Sequence, residues 1–579
     1  MLGSKILELV EGFEVVSFDV FDTLLMRNVH CPADVWNLVG RENGMAGFFA
    51  ARVAADRKSY QNAIARNAET TLDEIYQLMG KKWESCKDIE LGYERKSLFA
   101  NPEVLLLWNE IGKMGKRRVL VSDMYLPQGF IEEVLRENGI EGWDDIFISS
   151  KFGCRKSSGK LFEKMISRLG VEAGCVLHIG DNEISDYESP MRLGITAFRY
   201  PKLIDRFYGK FKGVESFRNY RQSLERDRIV GALAKGWYCY SFTRSKISFW
   251  NRFGYMFGGL WGYAYVDWVG REARRRGYTH LMFVGRDGYI WQKLARQMFP
   301  DIQCDYFYAP RTISVRVLGA MGSDSEAVRD RQKYMSENLN GVDPEHERLA
   351  YAEYLSQFGI DPKNTAVVDG ISSAFSAQRL VEAAIGGRVF TFYQLAYVKP
   401  DFGVGFYESI RLLYGVPFQD LSEYIFSSPE MPVSNLKDGK PVPRKEVSPF
   451  ERVKTSVCDE IADGVMNCAT ALAEANIRVS PQEVYDYLDF AEQSLTLEDR
   501  MELECARNAT DVAHRKYVPV LCRQTEKLIS RFFVFGRPLL KIRYEMSNGC
   551  FVRVALLFGL LPVMVKKTQV LRFAKTVGS

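Results

Sequence analysis

Short runs of apolar, often β-branched residues recur through the first 200 residues, and several stop on a side chain able to do chemistry. VVSF runs into Asp19, RRVLV into Ser122 and Asp123, and CVLHIG into Asp181. Runs of this kind read as buried parallel strands, as do DDIFISS and ITAFRY. The segments GFIEEVLRENG and GKLFEKMISRLG between them carry a helical pattern. Strands alternating with helices bury their apolar faces as a parallel sheet covered by helices. In such a sheet the carboxyl ends of the strands share one edge, where ligands bind. The alternation therefore predicts that Asp19, Ser122, Asp181 and Lys156 (which opens KSSGKLF just before a helix) meet at one place although they are far apart in sequence.

The alternation is broken at 30–110, where DVWNLVGREN, FFAARVAADRKSYQNAIARN and TLDEIYQLMG read as a helical insert between two strands. A chain of 579 residues is too long for one core. The expected division is an α/β domain over 1–205 and a basic, aromatic linker or docking segment over 206–250. A second α/β domain follows over 251–400, with strands HLMFVG, DYFYAP, TAVVDG and RVFTFYQL. The region 401–579 is expected to be mostly helical and to end in a basic tail. From 531 on, nine Lys or Arg face one acid, Glu545, among apolar runs such as VALLFGLL. That mixture suits either an amphipathic segment lying on an anionic membrane or a buried helix pair with solvated lysines.

Overall charge narrows the partners. With 77 basic and 73 acidic residues the net charge is +4, which excludes a strong global attraction to nucleic acid. The 11 cysteines form no CxxC pair, and the opening MLGSKILELVEGFE carries acids where the apolar core of a signal peptide belongs. Reduced thiols in a cytoplasm are the expectation. No stretch reaches the length and apolarity of a membrane-spanning helix.

The strand-end residues form a chemically specific set. Asp19 can attack phosphorus as a carboxylate nucleophile. The Thr23, Ser122 and Lys156 side chains can hold phosphoryl oxygens and neutralise charge. Asp19, Asp181 and Asp186 offer oxygen ligands suited to Mg²⁺. FDVFDTLL, VLVSDMYLP, KSSGKLF and HIGDNEISD, in this order, resemble the four motifs of the haloacid dehalogenase (HAD) superfamily over about residues 12–200. That resemblance implies a Rossmann-like sheet with a helical cap at 30–110, Asp19 as nucleophile, Ser122 and Lys156 as phosphate ligands, and Asp181 and Asp186 as metal ligands. Lys160 rivals Lys156, which counting back from Phe162 favours. FDVFDTLL together with SDMYLP is closer still to a group of large two-part bacterial HAD proteins associated with surface-polysaccharide biosynthesis. That likeness implies a phosphorylated sugar or sugar-nucleotide substrate.

One position departs from the superfamily's phosphatase pattern. Two residues after the nucleophile, where those enzymes carry an acid that protonates the leaving group, stands Phe21. Losing a general acid costs roughly 10²–10⁴ in rate, about 3–5 kcal/mol. Three readings stay open: a leaving group of low pKa such as a diphosphate, a substitute acid at Asp22, or a module that binds a phosphorylated ligand without turnover. Dehalogenases of the superfamily also lack that acid, but they use no Mg²⁺, and the acids of GDNEISD count against them.

In the second half, FVGRDGYIW and TAVVDGISS repeat the strand-into-turn logic, and Arg311 follows a further strand. Arg286, Asp287, Arg311 and Asp369 are candidates for a second site taking a phosphate or nucleotide-sugar. The simpler reading, slightly favoured, is that these arginines and aspartates pair with one another.

Overall fold

The computed structural model describes residues 2–66, 68–320, 343–372, 375–396, 407–410, 419–445, 447–509 and 517–520, together with the backbone of short strands within 527–569. The chain divides into two compact units, one of residues 1–246 with 474–477, the other of 247–473 with 478–579.

The first unit is built on five parallel strands: β1 (Val15–Phe18), β4 (Arg117–Ser122), β5 (Asp145–Ile148), β6 (Val176–Gly180) and β7 (Thr196–Arg199). Their spatial order is β5-β4-β1-β6-β7. The chain steps from β1 outward to β4 and β5, then crosses to β6 and β7 on the other side. The reversal leaves a crevice beyond the carboxyl ends of β1 and β6, the position where open α/β sheets bind ligands. The strands are apolar because helices cover both faces. Val15, Val119, Val121, Phe147 and Val176 pack with Leu161, Phe162 and Met165 of the helix Lys160–Leu169. Each large apolar side chain buried this way contributes about 1.5–3 kcal/mol.

The insert between β1 and β4 has a stem. Strands β2 (Leu25–Arg27) and β3 (Leu98–Ala100) pair antiparallel and tie its two ends together. Helices Pro32–Glu42, Phe48–Ala65, Leu72–Met79 and Cys86–Ser97 lie between them. Inside, Arg52 is fully buried, with its guanidinium on the Glu90 carboxylate and over the Trp36 ring.

Where a linker or docking segment was expected over 206–250, the chain forms helices Leu203–Lys210, Lys212–Tyr220 and Leu224–Phe242. They belong to the first unit. Gly231 approaches the backbone of Asn28 and Val29 so closely that a Cβ there would sit 2.5 Å from the Asn28 carbonyl oxygen. The Tyr238 hydroxyl donates to Asn101 Oδ1 (2.8 Å).

The second unit has its own parallel sheet, of strands β8 (His280–Val284), β9 (Gln303–Phe307), β10 (Thr365–Ser372), β11 (Phe390–Ala396) and β12 (Tyr407–Ser409), in the order β12-β11-β10-β8-β9. Here the topology reverses between β8 and β10. Helices Pro449–Glu474 and Pro481–Gln493 bear out the helical reading of part of the region after 401. The tail departs from the expected helical reading. Leu540–Ser547, Cys550–Leu557 and Leu561–Gln569 pair as antiparallel strands. Sequences such as CFVRVALL and LPVMVKK are rich in β-branched residues, which favour strand over helix. Among the described residues, no helix is long and apolar enough to cross a membrane, and the nine described cysteines are free thiols.

Candidate active site

The crevice beyond β1 and β6 gathers the predicted residues. Asp19 follows β1 directly, Ser122 ends β4, Asp181 follows β6, and Asp186 lies in the π turn Glu183–Glu188. π turns occur often at functional positions, where they re-aim a side chain. Carboxylate oxygens of Asp19, Asp181 and Asp186 lie within 4.8 Å of one another, and all three side chains are buried. Gly180, the last residue of β6, makes room for this. A Cβ there would stand 2.5 Å from Asp186 Cγ.

Lys156 binds the cluster together. Its Nζ donates to Asp19 Oδ1 (2.6 Å) and Asp186 Oδ1 (2.5 Å). Its own position is set through the backbone, where the Lys156 N–H donates to Asp123 Oδ1 (2.8 Å) and the carbonyl accepts from Ser189 Oγ. Lys160 plays no part in the cluster. It opens a helix whose apolar stripe of Leu161, Phe162 and Met165 faces the core, and it is exposed on the other side. Thr23 Oγ1 donates to Asp19 Oδ2 (3.3 Å). Ser122 Oγ is buried without a hydrogen-bond partner among the described residues, an omission that normally costs about 1–3 kcal/mol.

Burial sets the electrostatics. It raises the Asp19 carboxyl well above the usual range, against the pull of Lys156, and the charges of Asp186 and Asp181 add to the rise. Burial works the same way on Asp186, but Lys156 and the His178 hydrogen bond outweigh it and hold that carboxyl well below its usual value. Asp181 is raised by burial, opposed by Lys202. Three carboxyl groups in one enclosed space thus raise one another against the pull of Lys156 and Lys202, a repulsion that a cation between them would relieve. Such an all-oxygen set fits a hard divalent cation. Asp19, Asp181 and Asp186 are the residues that would hold it.

Two participants had not been singled out in the sequence. His178, inside β6, bridges Ser17 Oγ (2.8 Å to Nδ1) and Asp186 Oδ1 (3.0 Å from Nε2). Burial lowers its pKa, against the pull of Asp186. The neutral tautomer that accepts from Ser17 donates its Nε2–H to Asp186. Lys202 reaches in from the segment after β7, with Nζ 3.0 Å from Asp181 Oδ2. The sequence signal for His178 was a polar residue inside an otherwise apolar strand. Lys202 had no signal beyond its place after a strand.

At position 21 no acid is supplied. The Phe21 ring is buried beneath the Arg27 guanidinium, 4.8 Å from its centroid. Arg27 in turn is held by Glu94 and lies 3.9 Å from Asp22. Asp22 occupies the left-handed region (φ 59°) and is partly exposed, and its charge reaches both Asp181 and Lys202.

In the second unit, Arg286, Asp287, Arg311 and Asp369 all line one cavity at the edge of the sheet. They do not pair with one another as the simpler reading expected. Arg286 instead binds Glu451.

No family profile matches the chain, and no curated protein matches it either. Among solved structures it is similar to the L-2-haloacid dehalogenase from Xanthobacter autotrophicus, at 15% identity over 32% of this chain and 77% of that one, with a TM-score of 0.26. The HAD phosphatase from Thermococcus onnurineus matches at 19% identity over 32% and 84%, TM-score 0.24. The HAD-hydrolase YfnB from Bacillus subtilis, solved bound to magnesium, matches at 17% over 34% and 97%, TM-score 0.26.

Proposed function

We propose that the first unit is a Mg²⁺-dependent hydrolase of the HAD kind, acting through a phosphorylated Asp19 on a substrate with a good leaving group. The observation that carries this reading is the convergence of Lys156 on Asp19, with the buried Ser122 hydroxyl, unpartnered among the described residues, at the end of the neighbouring strand. An attacking carboxylate, a cation and a free donor then share the topological switch point.

On this reading one Asp19 oxygen displaces the leaving group and forms an acyl-phosphate. Thr23, already on Asp19, orients the carboxylate, while Ser122 and Lys156 supply donors to the phosphoryl oxygens. Mg²⁺ held by Asp19, Asp181 and Asp186 would neutralise the charge that builds on phosphorus. Water then attacks the phosphoryl group, releasing inorganic phosphate and restoring the carboxylate. Because Phe21 offers no proton, the departing group must be stable as an anion, as a phosphate or diphosphate is. The three-carboxylate cluster weighs against dehalogenation. The likeness of FDVFDTLL and SDMYLP to large two-part bacterial proteins supports a sugar-nucleotide in surface-glycan assembly as the substrate class, because its diphosphate linkage releases a phosphate where a sugar monophosphate would release an alkoxide.

A second reading, a module that binds phosphate without turnover, is favoured by Phe21 alone. The two separate in a rapid-quench experiment with an acyl or aryl phosphate and Mg²⁺. The hydrolase reading expects a hydroxylamine-labile phosphoryl group on the peptide containing Asp19. Bound substrate with no phosphorylated peptide would establish the binding module instead.

A further inference from the structure

The second unit repeats the placement seen in the first. β8 lies between β9 and β10, and the chain reverses direction across the sheet at β8 and β10. The crevice beyond their carboxyl ends is the cavity lined by Arg286, Asp287, Arg311, Asp369, Arg444 and Lys454. Its position alone makes it the default ligand site of such a sheet.

The charges on its wall are of two kinds. Some are already committed: Arg286 to Glu451, and the buried Lys454 to Asn508 Oδ1 at 3.1 Å. Others are not. Arg311 is exposed and makes no ion pair or hydrogen bond among the described residues, yet its charge reaches Asp369. Asp287 and Asp369 have no ion pair among the described residues either. They lie close across the switch point, because a Cβ on Gly370 would sit 2.5 Å from Asp287 Oδ2. A cation that reaches solvent beside two carboxylates matches a ligand with an anionic group at one end and hydroxyls at the other. Carboxylates recognise sugar hydroxyls as acceptors, and a guanidinium recognises phosphate by paired N–H donors.

We propose that this cavity is a second ligand site, which binds a phosphorylated sugar with its phosphate on Arg311 and its hydroxyls on Asp287 and Asp369. Burial, with Glu423 and Asp369 nearby, lifts the Asp287 carboxyl to about 7, and burial lifts Asp369 to about 6. Near neutrality both groups can accept or donate a hydrogen bond, which suits a hydroxyl partner. The assignment does not depend on chemistry at Asp19.

The test is binding to the full chain rather than turnover, so an inactive first unit leaves it readable. Hexose 1-phosphates and 6-phosphates are titrated by calorimetry, with inorganic phosphate and free glucose as the two halves of the ligand. Hydrogen exchange then locates the site. The proposal expects slowed exchange at amides 285–288 and 369–372, and a Kd weakened roughly tenfold or more by Arg311→Gln and only partly restored by Arg311→Lys, which keeps the charge but not the paired donors. Asp369→Asn should weaken the sugar phosphates more than inorganic phosphate. Thermal melts of each variant confirm that it is folded, and Arg311 is exposed enough for its replacement to leave the core intact. Failure of every hexose phosphate to bind, protection confined to 19–23 and 181–186, or a Kd indifferent to Arg311→Gln would each overturn it.

Discussion

Ser17 and His178 stand opposite each other in the register of β1 and β6, and the imidazole carries a hydrogen bond from that pair out to Asp186. A polar pair inside the sheet thus fixes the orientation of a carboxylate at its edge.

His178→Ala should therefore act at a distance from the reaction. It leaves the buried Ser17 hydroxyl without a partner and Asp186 held by Lys156 and one backbone N–H, a loss of about 1–3 kcal/mol in urea unfolding. Groups that orient metal ligands change affinity by roughly 10–100-fold. The apparent Kd for Mg²⁺, read by calorimetry, should rise by that order. An unchanged Kd would reduce His178 to a packing residue.

Gly180→Ala tests the space around Asp186. The added methyl would stand 2.5 Å from Asp186 Cγ, on a central strand that cannot give way. Overpacking of this kind costs about 1–3 kcal/mol, and phosphate release should fall by roughly 10² as Asp186 is displaced. Gly174→Ala, whose methyl would meet nothing within 4 Å, is the matched control and should behave as the unaltered protein.

Phe21→Asp asks whether the missing acid can simply be restored. The new carboxylate would lie beneath the Arg27 guanidinium, which would hold it ionised. The gain in turnover of simple alkyl phosphates should stay well under the ~10²–10⁴ that a general acid supplies. A full gain would show that Arg27 does not control that position.

The second unit's pH dependence has a definite sign. The Asp287 carboxyl is raised from its usual value near 4 to about 7, chiefly by burial and then by Glu423. Between those values the folded chain keeps a proton that the unfolded chain has lost, so stability falls as pH rises through that window. Asp287→Asn, which mimics the protonated acid, should reduce the drop in melting temperature between pH 5 and pH 7.5. Lys454, lowered to about 8, acts mainly above this range and with the opposite sign.

Much of the first site was readable because each strand ended where its apolar run ended, which placed Asp19, Ser122 and Asp181 at one edge. Lys156 could be preferred to Lys160 by counting back from Phe162. His178 could not be assigned, since its partner Ser17 is 161 residues away and only register brings them together. The helix Leu224–Phe242 looked like a linker because it is buried on several sides, so no single apolar stripe marks it. The tail was misread as helical because its apolar clusters were weighed over its alternation. In the second unit the arginines and aspartates were expected at strand ends; Arg286 and Asp287 do follow β8 closely, whereas Asp369 lies inside β10 and Arg311 opens the helix Arg311–Ala320. Their partners were not foreseeable, since Glu451 comes from a helix 165 residues beyond Arg286.

The central claim is that Asp19 accepts the phosphoryl group and that nothing at position 21 protonates what leaves. Its most direct test is phosphate release across substrates whose leaving groups fall in pKa, from alkyl through aryl to acyl phosphates, in Mg²⁺ and in EDTA. The account predicts release that steepens as leaving-group pKa falls and that disappears in EDTA and in a folded Asp19→Asn variant. Release that survives Asp19→Asn, or that is indifferent to the leaving group, would contradict it.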